Sequence, residues 1–137
     1  MEEKELKKSW KGFVWWIVGY IAALAGIALL PVADEALMIR LVMGMTATMM
    51  ALLAWIVLKT GYVYWYNGIE YKEAVKAGAA RREAYARAHF ERFRLLALVS
   101  LLLLAAAQGL GIPWWIDFIV CTAALIAVAI STINIKL

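Results

Sequence analysis

At 137 residues, 66% hydrophobic and with a mean hydropathy of +0.78, the chain is far more apolar than ordinary soluble domains, whose apolar share is roughly 45–50%. That composition excludes a soluble globular domain and points to a small all-α integral membrane protein. A single cysteine excludes an internal disulfide framework, and the net charge of +4 follows where the bases fall between apolar runs; it is not a nucleic-acid footprint.

Four apolar stretches approach the length of about 20 residues that a helix needs to cross a hydrocarbon core of about 30 Å: residues 12–32, 36–58, 95–112 and 114–133. Lipid satisfies no exposed backbone group, so spans are helices or closed barrels, and continuous apolar runs without alternation rule out the barrel. The expectation is one membrane domain of four transmembrane helices, arranged as two hairpins joined by a basic amphipathic cytoplasmic segment over residues 59–94.

Residues 1–11, MEEKELKKSWK, mix acids and bases, and the apolar run after them exceeds the about 7–15 residues of a signal-peptide core, so this segment is expected to stay attached. It is read as a short interfacial helix with Leu6 and Trp10 on one face. The first span contains Gly19/Ala23 and Ala22/Gly26, small-residue pairs that allow close helix approach, and Pro31 ends it.

Asp34 and Glu35 open the second span, where the positive end of the helix dipole favours carboxylates. Arg40 lies about a turn and a half deeper and is placed to reach Asp34, Glu35 or Asp117. Met45 and Met49 form an MxxxM pair that resembles, over five residues, the second span of copper transporters. No methionine-rich arm accompanies it, and packing is the expected role of these flexible side chains.

Lys59 marks the next boundary, with Tyr62, Tyr64, Trp65 and Tyr66 as an aromatic belt at headgroup level. Residues 70–94 carry a helical stripe, Tyr71, Val75, Tyr85, His89 and Phe93, opposite Lys72, Lys76, Glu83, Arg87 and Arg94, with Arg82 interrupting the apolar face. This element can lie on the membrane, dock a partner, or project as a helical hairpin bent at Gly78-Ala79-Ala80; the projecting hairpin is preferred. Its candidate contacts to a partner or to anionic headgroups are Tyr71, Arg81, Arg82, Tyr85, Arg87, His89 and Phe93. His89 is the sole histidine, so no second imidazole is available for a metal.

The third span holds Ser100 and Gln108 as its polar groups, and Gly109, Gly111 and Pro113 form the following turn. Trp114 and Trp115 anchor the fourth span, and Asp117, about one turn into it, is the one carboxylate that the membrane could engulf. Cys121 is solitary in an apolar setting.

With four spans, 14 − 1 = 13 of the bases share one side, Arg40 being the exception, for 13 − 7 = +6 there against 1 − 3 = −2 opposite. The positive-inside rule then makes both termini and residues 59–94 cytoplasmic, in a multi-pass protein of the cell membrane. No nucleophile, base or metal group clusters as catalysis would require, and no cofactor is implied. The expected function is a non-enzymatic subunit or homo-oligomer that engages a partner or anionic lipid through the basic segment. The alternative is an oligomeric small-cation or proton pathway using Asp117, Arg40, Asp34 and Glu35.

Overall fold

The computed structural model describes residues 6–137. Five α-helices follow in chain order: α1 Lys11–Ala28, α2 Glu35–Thr60, α3 Tyr71–Ala77, α4 Ala79–Leu110 and α5 Trp114–Ile133, with one 3-10 turn, Val63–Trp65, between α2 and α3. There is no strand among the described residues. Four of the helices, all but the short α3, are long and apolar enough to cross a membrane.

Local chemistry sets the boundaries. Pro31 follows the turn at Leu29 and Leu30, so α1 stops at Ala28 rather than at the expected Val32. Asp34 caps α2 by accepting the Ala36 amide at 3.0 Å, and Gly61, at φ +76°, ends it in the left-handed conformation that glycine adopts without penalty. Glu70 and Glu73 form a capping box at the start of α3.

The polar interval departs from the expected hairpin in two respects. The bend does fall at Gly78, with φ +83°, but α2 contributes no extension beyond Thr60; α3 is a separate two-turn helix reached through left-handed Asn67 and Gly68. On the other side, nothing in the sequence breaks the ladder between Arg94 and Leu95. Hence α4 runs unbroken from the polar interval into the third span, about 48 Å at 1.5 Å per residue.

The core is α2 against α4, with α5 on both and α1 on α2 alone. The best-buried cluster lies at the end of the bundle where α2 finishes and α4 begins, and it includes Val57, Val63, Tyr64, Trp65, Ala74 and Tyr85. Along the spans the large apolar side chains, such as Leu98, Leu102, Ile119 and Ile130, face outward, the reverse of a soluble bundle. Only 6% of the α1 span is buried, which makes it the peripheral helix.

The N-terminal segment is not helical over residues 6–10. Residues 1–5 of the expected interfacial helix, including Lys4, lie outside the described residues. The reason for the difference is that aromatic side chains take up the backbone groups a helix would have used. The Tyr64 hydroxyl donates to the Ser9 carbonyl at 2.9 Å and accepts the Ser9 amide at 2.8 Å; the Trp65 indole donates to the same carbonyl at 2.9 Å, and Tyr71 donates to that of Leu6. Tyr64 and Trp65 are therefore interior clamps, 5% and 6% exposed, and not part of a lipid-facing belt.

Candidate functional site

The polar residues separate to the two ends of the bundle. At one end the start of α2, the end of α4 and the start of α5 meet. There Arg40 Nε donates to Asp117 Oδ2 at 2.8 Å and Nη2 to Oδ1 at 3.0 Å, a bidentate pair between buried groups. Arg40 Nη1 donates to Gln108 Oε1 at 2.7 Å, Nη2 also reaches the Ile112 carbonyl, and Gln108 Nε2 donates to Asp34 Oδ2 at 3.1 Å.

Arg40 therefore meets Asp117 directly and Asp34 through an amide, while Glu35 is exposed and outside this network. Both Asp117 oxygens accept from Arg40, so a cation arriving there competes with the guanidinium, and its full displacement would strand two buried groups. Geometrically this is a clasp holding three helices. Gln108, named only as a polar member of the third span, is its bridge. Its signal was positional: a lone amide one turn before the Gly-Ile-Pro turn sits level with Arg40 and Asp117.

The other end gathers the N-terminal segment, the link between α2 and α3, α3 itself, the first half of α4 and the C-terminal residues. His89 is at its centre, 1% exposed, stacked on Tyr66 with centroids at 4.7 Å and tilted 45° against Tyr85 at 4.3 Å. Its Nδ1 lies 2.9 Å from the Tyr85 carbonyl, which only accepts, and its Nε2 lies 2.9 Å from Asn67 Nδ2, which only donates. The ring is thereby neutral with its proton on Nδ1. His89 lies N-terminal to the charge-free stretch that begins at Leu95, and burial, the largest cause, lowers its pKa, with Arg92 adding to the effect. Burial likewise pushes the Tyr66 phenol well above its ordinary range.

Asn67, which with Gly68 reads from sequence as a break in the chain, also brings its amide to the carbonyl and hydroxyl of Thr132 at 3.3 and 3.4 Å, tying the link to α5. The tell was an Asn-Gly pair, since asparagine tolerates the positive φ, +56°, that the turn needs.

Of the seven candidate contact residues, Arg81 and Arg87 are exposed and Tyr71 is half-buried, but Arg82, Tyr85, His89 and Phe93 are interior. Arg82 does not face a headgroup. It folds back to donate to the Ala74 carbonyl at 2.9 Å, holding α3 against α4. The apolar stripe thus packs within the chain; Tyr71 and Tyr85 join one cluster while Val75 points out. The charged groups outside are Lys72, Lys76, Arg81, Arg87, Arg92 and Arg94 against Glu70, Glu73, Glu83 and Glu91, an excess of 6 − 4 = +2.

Comparison with protein-family models, curated proteins and solved structures returned no match to this chain. Among the described residues no group of His, Cys, Asp and Glu is placed to hold a metal ion. Fold and site together define a helical protein with four candidate membrane spans, a buried ion-pair clasp at one end and an aromatic-cored, basic-surfaced cap at the other.

Proposed function

We propose that the chain is a multi-pass protein of the cell membrane, with both termini and the cap on the cytoplasmic side, and that it acts without catalysis, as a subunit or homo-oligomer, by engaging anionic headgroups or an acidic partner through the basic cap. One observation carries the reading. Among the described residues the only ion pair in the cap is Arg87 to Glu83, at 2.7 Å, leaving Lys72, Lys76, Arg81 and Arg94 without a carboxylate partner beside the apolar spans. Unpaired bases next to a bilayer each attract anionic lipid by about 1 kcal/mol, within a Debye length of the surface.

The alternative, an ion or proton pathway through Asp117, has less support because both oxygens of that carboxylate already bind Arg40. The test is lipid selectivity in nanodiscs of mixed phosphatidylcholine and phosphatidylglycerol. The purified protein is expected to enrich phosphatidylglycerol around itself, less so at high salt, and a variant with Lys72, Arg81 and Arg94 changed to Gln to lose most of that enrichment. An unselective lipid shell, together with no acidic protein copurifying, would refute the reading.

A further inference from the structure

Between α3, the first turns of α4 and the C-terminal residues lies an open cavity of about 520 Å³. Lys76, Arg81 and Lys136 line it from three separate elements, with Glu73 the single acid on its lining among the described residues. Asn67 and Tyr85 form part of its wall. Tyr85 is 2% exposed, and its hydroxyl lies beneath the wall beside the Asn67 side chain, so the ring closes the cavity from below. The remaining wall is apolar: Ile133 at the end of α5, with Ile135 and Leu137 in the irregular segment after it.

We propose that this cavity is a binding site for a phosphate monoester carried on an apolar tail, a phosphatidic-acid-like headgroup. A phosphate monoester has between one and two negative charges at neutral pH and several strong acceptor oxygens. Three bases against one acid leave a side-chain charge of 3 − 1 = +2, which matches it. The phosphate sits among Lys76, Arg81 and Lys136 and accepts charge-assisted hydrogen bonds from them. The acyl chains leave along Ile133 and Ile135 toward the hydrocarbon. This inference rests on the reading of the cap as an anionic-headgroup surface, and it differs in requiring one shaped site instead of diffuse charge.

The experiment titrates the full-length protein in micelles with dioleoyl phosphatidic acid, with dioleoyl phosphatidylcholine, and with inorganic phosphate and glycerol 3-phosphate, counting bound molecules by native mass spectrometry. The variants are Lys76→Gln, Arg81→Gln and Lys136→Gln, against Lys72→Gln and Arg94→Gln, which lie outside the cavity. Phosphatidic acid is expected to bind in preference to phosphatidylcholine at one saturable site. Lys76→Gln, Arg81→Gln and Lys136→Gln are each expected to weaken it about fivefold, while the two controls stay within about twofold. Equal competition by glycerol 3-phosphate would support the phosphate site and assign it to a soluble ester. Equal weakening by cavity and control variants would overturn the site while leaving the diffuse-charge reading standing, and no preference for phosphatidic acid in any form would overturn the site and the headgroup arm of that reading, leaving it only the acidic partner.

Discussion

Arg40 and Asp117 are 77 residues apart in sequence, yet the guanidinium of one grips both oxygens of the other's carboxylate. The pair links α2 to α5, and Gln108 on α4 completes the union. Because each partner exists in a buried setting only by virtue of the other, removing one is worse than removing both. Asp117→Ala is expected to lower the melting temperature in detergent by ~5 °C or more, and the double variant Arg40→Leu/Asp117→Leu by less than either single change. A double variant as unstable as the sum of the singles would show that no such coupling exists.

The neutral His89 makes the cap sensitive to acid. Its folded pKa lies below the unfolded value of about 6.5, so on acidification the unfolded chain takes up the proton first. Stability is therefore full above about pH 6.5 and declines as pH falls below it, at no more than about 1.4 kcal/mol per pH unit for one proton. Thermal unfolding between pH 7.5 and 5 should show that slope in the wild type and a flatter profile in His89→Gln.

The clamp on the N-terminal segment depends on one hydroxyl that both donates to and accepts from Ser9. Tyr64→Phe deletes both bonds and leaves the ring in place. A loss of about 1–2 kcal/mol is expected, with hydrogen exchange of the Ser9 amide accelerated relative to the spans. Unchanged exchange there would show that Trp65 and Tyr71 suffice to hold the segment.

Two glycines differ in what a methyl group would meet. At Gly12 an added Cβ lies 2.8 Å from Trp65 Cη2, on a rigid ring already fixed by its bond to Ser9. At Gly44 it lies 3.1 Å from Leu101 Cδ2, the movable end of a leucine. Gly12→Ala is expected to cost about 1–3 kcal/mol by overpacking, whereas Gly44→Ala, helped by alanine's propensity advantage of up to about 1 kcal/mol, should be near neutral. Denaturant titration of the two variants side by side measures the contrast.

Much of the helical framework was legible from local chemistry. The fourth span coincides with α5, and the ends of α2 fall within two residues of those expected, because Asp34, Lys59 and Gly61 act on their own neighbours. The N-terminal segment was misread because its backbone partners are aromatic groups more than fifty residues away. The amphipathic stripe over residues 71–93 was visible, but a stripe records only that one face is buried. It does not say against what, and here the partner is the chain itself.

The sequence by itself determined the apolar lengths, the capped helix ends and the bend at Gly78, all of which depend on residues within a few positions of one another. Tertiary structure alone decided that Arg40 is spent on Asp117 and Gln108, that Arg82 turns inward to a carbonyl, and that Lys76, Arg81 and Lys136 share one cavity. Those arrangements depend on which helix ends meet. A guanidinium or hydroxyl bonds to whatever lies within about 3 Å in space, and no periodicity along the chain specifies which group that will be.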